Sequence, residues 1–246
     1  MKLYIKKIRE KIHSKTILEY IFWKLRLTKL KEIFKDKYFH EEVKRWFSDN
    51  GDEDLRFDLE IDSDGLIMDL GSYIGQDLKK FSEKFKCNIY GFEPSPKMFY
   101  QLEKLFKSSK IILFNFGFSK TNSNSYLISK NLGSYINNSI PKKFVEYEKV
   151  KLKKFSDFVL NKNIQEISLV SMNIEGSEYI VLKDIIENGC INKIKTLQVQ
   201  FHRMTFLYPL KKYLITRKLK KTHKLIWEYK YVWERWDLNT ENEIMI

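Results

Sequence analysis

Residues 66–96 read LIMDLGSYIGQDLKKFSEKFKCNIYGFEPSP. Leu66-Ile67-Met68 is a short apolar run that closes on Asp69-Leu70, and Gly71-Ser72-Tyr73-Ile74-Gly75 follows it. Leu78, Phe81 and Phe85 then recur at helical spacing. Ile89-Tyr90-Gly91-Phe92 is a second apolar run, ending in Glu93. Strand, glycine turn, helix and a strand tipped by an acid make the first half of a nucleotide-binding βαβ unit. Gly71 and Gly75 have no Cβ, so the chain can turn sharply there and a ligand can approach the backbone. The first-turn amides of the helix point into the same space. At the tip of the second strand the Glu93 carboxylate can accept both hydroxyls of a ribose, the task of the acid that dinucleotide binders carry about 20 residues on.

The glycines decide which nucleotide. A pyrophosphate calls for the closely spaced G-x-G-x-x-G, and this chain has only Gly71 and Gly75, preceded by Asp69. The pattern D-x-G-x-x-x-G resembles motif I of class I S-adenosylmethionine (SAM) methyltransferases. That resemblance implies a turn, Asp69 to Gly75 with Ser72 and Tyr73, packed against the methionine part of SAM, and Glu93 on its ribose.

A second constellation lies at 167–178. Ile167 to Met172 is a buried strand, Asn173-Ile174-Glu175-Gly176-Ser177-Glu178 a polar turn, and Tyr179, Leu182 and Ile186 mark one face of a following helix. N-I-E-G-S-E-x-x-x-L resembles the [D/N]-x-E-G-x-E-x-x-x-L signature of the FkbM-type methyltransferases. G-F-E-P-S-P at 91–96, F-N-F-G-F-S at 114–119, L-G-S-Y at 132–135 and Q-V-Q-F-H at 198–202 resemble further segments of that family, in its order. The resemblance spans roughly residues 66–202. It implies a three-layer Rossmann-like α/β fold whose sheet is mostly parallel with its last strand antiparallel. It also implies an O-methyltransferase that uses SAM and acts on a hydroxyl of a sugar or natural product. Asn115 and Phe116, at the third strand tip, and Asn173, at the fourth, are then expected beside the cofactor. Glu175 and His202 are expected to handle the acceptor, His202 as a general-base candidate at the end of the fifth strand. No residue is assigned to a metal. The family usually has Lys-[Ile/Met]-Asp before the E-G step, where this chain has Ser171-Met172-Asn173. Two charges are thereby lost at the fourth strand tip.

With 43% hydrophobic and 15% aromatic residues, 246 residues can bury a large core. The formal charge of +13 favours an anionic partner without choosing among nucleic acid, lipid and acidic glycan. The two cysteines, Cys87 and Cys190, form no disulfide framework, so a reducing, cytoplasmic setting is expected. Residues 1–60 are expected to form a helical arm and linker, and 61–246 the catalytic domain. Residues 1–37 carry twelve Lys or Arg against four Asp or Glu, with apolar residues at helical spacing. Two readings of that arm stay open: a cap on the core, or a helix lying peripherally on anionic membrane.

Smaller expectations complete the reading. Leu55-Arg56-Phe57 is read as a short strand, and 121–141 as a hairpin or loop over the pocket mouth. Residues 144–152 are read as a half-exposed strand and Ser156-Asp157 as the cap of a helix over 155–161. Two late strands are placed at 225–229 and 231–234. The functions left open beside the sugar O-methyltransferase are, least favoured, a nicotinamide oxidoreductase, then a non-catalytic binding or assembly protein and a nucleic-acid methyltransferase. The latter's usual Asn-Pro-Pro-Tyr and paired-cysteine motifs are absent.

Overall fold

The computed structural model describes residues 39–107, 110–130, 133–137, 146–203 and 207–239. The basic arm at 1–38 lies outside the described residues.

Strands β1 (Leu66–Leu70), β2 (Asn88–Phe92) and β3 (Ile111–Phe114) are joined by helices α2 (Gln76–Lys84) and α3 (Pro96–Leu105) and pair in parallel. The chain then crosses the sheet. Strand β8 (Ile167–Met172) lies on the other side of β1, and β9 (Ile194–Val199) beside β8, both parallel to it. Helix α5 (Glu178–Glu187) joins them, and α6 (Tyr208–Leu219) leads to β10 (His223–Tyr229) and β11 (Trp233–Leu238). The order is β10-β11-β9-β8-β1-β2-β3, with β11 antiparallel to both its neighbours. The strand order reverses between β1 and β8, and in such sheets the crevice at that reversal, beyond the carboxyl ends of the strands, is where ligands bind.

Strands β1 and β8 are buried along both faces, which is why they read as continuous apolar runs; β8 is buried at every residue, while Ile112 of β3 is exposed. Alternation along β1 and β8 sorts the two sides. Ile67 and Leu169 pack with Phe57, Leu78, Phe81 and Leu102 under α2 and α3. Met68, Leu70 and Val170 pack with Phe158, Tyr179, Leu182 and Ile215 from α4 (Phe155–Asn161), α5 and α6. Asp69, Ser171 and Gln198 therefore share the first face, and strand register sets them side by side.

A second, four-stranded sheet is made by β4 (Gly117–Ser119), β5 (Ser123–Lys130), β6 (Gly133–Asn137) and β7 (Tyr147–Lys154), in the order β4-β7-β5-β6. The expected hairpin is β5–β6. The parallel pairing of β4 with β7 is invisible locally, because its partners lie far apart in sequence.

Four local expectations are corrected. Leu55–Phe57 is one 3-10 turn that buries Arg56 and Phe57 rather than a strand. Helix α4 is present, but its N-cap is Lys154 with no side-chain cap bond; the Ser156 amide and hydroxyl both donate to Asp184, at 2.9 and 3.0 Å. Tyr231 sits at φ 60 in the turn between β10 and β11, so the last strand begins only at Trp233. The fifth strand ends at Val199, and His202 lies beyond it. Before the sheet, helix α1 (Phe39–Ser48) docks Trp46 against Tyr229, Val232 and Trp233.

Candidate active site

Gly71 begins the turn after β1 at φ +92, and its amide donates to the Phe92 carbonyl at 3.0 Å. A Cβ there would stand 2.1 Å from the Asn173 carbonyl oxygen, so the tips of β1 and β8 approach as closely as they do only because residue 71 is glycine. Tyr73 follows at φ 46, strained for a residue with a side chain, and 61% exposed. Its amide donates to Glu93 Oε2 at 2.8 Å, while the Ser95 amide donates to Oε1 at 2.7 Å. The turn and the strand-tip acid are thus in direct contact. Burial pushes the Glu93 carboxyl up to about 7, although the two amides pull the other way. Each oxygen keeps a lone pair for a further donor.

Glu93 lines a cavity of ≈ 420 Å³ with Gly71, Tyr73, Ser95, Asn173 and Glu175, and with the apolar side chains of Leu70, Phe92, Met98 and Phe118. Leu127, Tyr135, Ile136, Glu148 and Leu152 of the second sheet complete its wall. That sheet is tied down by Glu148, which accepts from the Ser95 hydroxyl at 2.8 and 2.9 Å and from the Lys97 amide at 3.2 Å. A wider cavity of ≈ 730 Å³ shares Gly71, Tyr73 and Asn173 with the first and continues past Asp69, Ser72, Gln200, Arg56 and Trp233 to α1.

Two buried acceptors in this space have no hydrogen-bond partner among the described residues: Asp69 Oδ2 and Asn173 Oδ1. Burial, then repulsion by Asp77, pushes Asp69 up to about 7, against hydrogen bonding from Ser72 and the charge of Arg56. Buried acceptors are normally paired, so these two are poised for a ligand's donors. An adenosine joined to a cationic amino acid fits the set: apolar walls for a base, Glu93 for ribose hydroxyls, and Asp69 Oδ2 for an ammonium group. The volume is that of a small-molecule site.

At the fourth strand tip Glu175 lies on the first cavity's wall in a left-handed conformation, φ 51. Its Oε2 is 3.5 Å from His202 Nε2, and His202 Nδ1 is 2.7 Å from Glu178 Oε1. Glu178 is 0% exposed, and the same oxygen accepts from the Ile174 and Gly176 amides at 3.2 and 3.1 Å, fixing the turn that presents Glu175. Burial drives the His202 pKa down, but the Glu178 hydrogen bond and charge, then Glu175, raise it overall above its ordinary value. Burial also raises Glu175, partly offset by His202.

The structure brings Asp69, Gly71, Ser72, Tyr73, Glu93, Asn173 and Glu175 to the cavities. It does not bring four other expected residues there. Gly75 caps α2 at φ +83, and its missing side chain leaves room for Leu102 and Phe106 rather than for a ligand. Asn115 turns its amide back onto the Glu93 and Pro94 carbonyls, at 3.0 and 3.3 Å. Phe116 is buried among Phe92, Phe114, Phe118 and Phe158. His202 stands behind Glu175, off both cavity walls. Sequence reading missed Glu148, Glu178 and Arg56. Only Glu178 left a signal, as the second acid of E-G-S-E.

Among solved structures, the fold matches Aeropyrum pernix fibrillarin in complex with natively bound SAM at 9% identity, over 75% of this chain and 71% of that one, with a TM-score of 0.43. It matches M. capricolum TrmK in complex with S-adenosyl-homocysteine at 14% identity, over 75% and 70%, with a TM-score of 0.40. It matches an rRNA methylase from Streptococcus thermophilus at 10% identity, over 73% and 91%, with a TM-score of 0.40. No curated protein matches the sequence. The sequence model of the methyltransferase FkbM domain matches residues 69–234, from the acid that opens the glycine turn to the start of the last strand, and the chain belongs to that family of SAM-dependent methyltransferases.

Proposed function

We propose that the protein is an O-methyltransferase whose acceptor is a hydroxyl of a sugar or glycan, free or lipid-linked. The observation that carries this reading is Glu175, a carboxylate held on the cavity wall beside Asn173 and backed by His202 and Glu178. Bound SAM would supply an electrophilic methyl group. A hydroxyl that becomes an ether must lose its proton, and a carboxylate whose pKa is raised suits that transfer. Glu175 takes the proton at Oε2 and becomes neutral; before the transfer His202 Nε2 steadies its carboxylate form, and Glu178 holds His202 in place. Asn173 orients the acceptor through its spare Oδ1. Glu93 and Asp69 hold the cofactor's ribose and ammonium. The charge of +13 favours an anionic glycan, and the basic arm a site beside cytoplasmic membrane.

The test is mass spectrometry of candidate glycans and lipid-linked saccharides incubated with SAM and either the wild type or Glu175→Gln. The reading expects one added methyl group with the wild type and near loss of transfer with the variant, at unchanged SAM affinity. Methylation of RNA instead, with steeply salt-dependent binding, would sink it.

A further inference from the structure

Arg56 lies ahead of the matched FkbM domain, in the 3-10 turn before β1, and is 3% exposed. Its planar group rests on Trp233, with Cζ 3.7 Å from the ring centroid. Nε donates to Gln198 Oε1 at 3.4 Å; Nη2 donates to Asp77 Oδ2 at 2.6 Å and to Ser171 Oγ at 3.1 Å. Nη1 has no hydrogen-bond partner among the described residues, and Arg56 lines the wider cavity together with Asp69. Arg56 and Asp69 thus line one cavity, the first with a guanidinium nitrogen and the second with a carboxylate oxygen, Oδ2, that no described residue engages. A spare donor carrying positive charge near a spare acceptor of opposite sign complements a zwitterionic α-amino acid: ammonium to Asp69, carboxylate to Arg56. The cation missing at Ser171 is thus delivered to the same strand tip from outside the domain.

We infer that Arg56 is a cofactor-binding residue, whose Nη1 takes the α-carboxylate of the methionyl end of SAM. The inference rests on the SAM reading and extends the site to a segment outside the family's matched region. Free acceptor acids share the carboxylate chemistry, so the test separates the two sources.

The experiment is calorimetry of wild type, Arg56→Met and Arg56→Lys with two probes. S-adenosylhomocysteine carries the amino acid; 5′-methylthioadenosine has the same nucleoside and a thioether without it. The wild type should prefer S-adenosylhomocysteine. Arg56→Met should lose about 10–100-fold of affinity for it, the worth of one hydrogen bond to a charged group, with 5′-methylthioadenosine unchanged. Arg56→Lys, which keeps the charge without the planar fork, should lose less, and it carries the test if Arg56→Met does not fold. Equal weakening of both probes makes Arg56 structural and overturns the inference; so does no change in either. An unchanged ratio of the two affinities with weakened use of an acidic acceptor moves the carboxylate to the acceptor, and also overturns it. If the wild type binds neither probe, the cofactor reading itself fails and takes the inference with it.

Discussion

Glu93 should make nucleoside binding depend on pH in a way that can be calculated. In the proposed function the ribose hydroxyls donate to the ionised Glu93, and burial places that carboxyl at about 7. About a tenth of such groups are ionised at pH 6 and about nine-tenths at pH 8, so affinity should rise roughly tenfold between them. 5′-Methylthioadenosine isolates the effect, because it carries no ammonium group to engage Asp69. Glu93→Gln should bind it about 10–100-fold more weakly at pH 8 and remove the pH dependence. The variant keeps the size of the side chain. Its amide carbonyl can accept from only one of Tyr73 and Ser95, the two amides that Glu93 satisfies. The other is left facing an NH₂ group, at a cost of about 1–3 kcal/mol, or about 2–4 °C of Tm for each kcal/mol. Calorimetry at four pH values, with a melting curve on each variant, reads both quantities. A wild-type affinity that is flat from pH 6 to 8, or a Glu93→Gln variant that keeps the slope, would refute the reasoning.

Other outcomes follow from the packing. Gly189→Ala meets nothing within 4 Å at φ +71 and should cost only the left-handed strain, about 1–2 kcal/mol in urea denaturation. Gly71→Ala, at φ +92 and 2.1 Å from the Asn173 carbonyl, should cost more and remove nucleoside binding; equal costs for the two would contradict the close approach of β1 and β8. Lys212 is buried against Glu228 and Glu234. Lys212→Met strands Glu234, which burial pushes up to about 7, so the loss of about 3–5 kcal/mol should be larger at pH 8 than at pH 6. Glu178→Gln should lower the His202 titration midpoint in imidazole NMR; an unmoved midpoint would show that Glu178 does not hold the proton there. By linkage, the stability that His202 gains from Glu178 is fully present below its unfolded pKa of about 6.5 and is lost as pH rises through its raised folded value.

The βαβ stretch was legible because its signals are local. A strand buried on both faces is an apolar run, a turn that must bend shows glycines, and an acid at a strand end needs no partner to be noticed. The same locality misled at Gly75, where the sequence cannot say whether a missing Cβ makes room for a ligand or for Leu102 of α3 and its C-cap Phe106. Asn115 stands at a strand tip, as expected, but whether its amide faces a cavity or two carbonyls depends on a side-chain rotation that spacing does not encode. Arg56 was out of reach for another reason. Its partners, Asp77, Ser171 and Gln198, come from three separate elements, the last 142 residues away. Only the assembled sheet brings them together.

That assembled charge also argues against a pyrophosphate in the glycine turn. Glu93, Glu148 and Glu175 face the first cavity, and Asp52, Glu53, Asp69, Asp77 and Glu83 the second. Of the cations there, Lys80 is held by Glu53 at 2.7 Å, Lys79 lies 3.8 Å from Glu83, and Arg56 is already bonded to Asp77 on one edge. Two phosphate charges would meet two buried carboxyls and a single spare guanidinium nitrogen. Among the described residues the cavity walls are thus more acidic than basic, and they suit a nucleoside that brings a net positive charge. The positive charge of such a ligand offsets the desolvation that holds Asp69 and Glu93 near 7, so binding draws the carboxyls toward their ionised forms. An anion would push them the other way. The preference is thus built from burial and sign, and the glycine spacing only makes room for it.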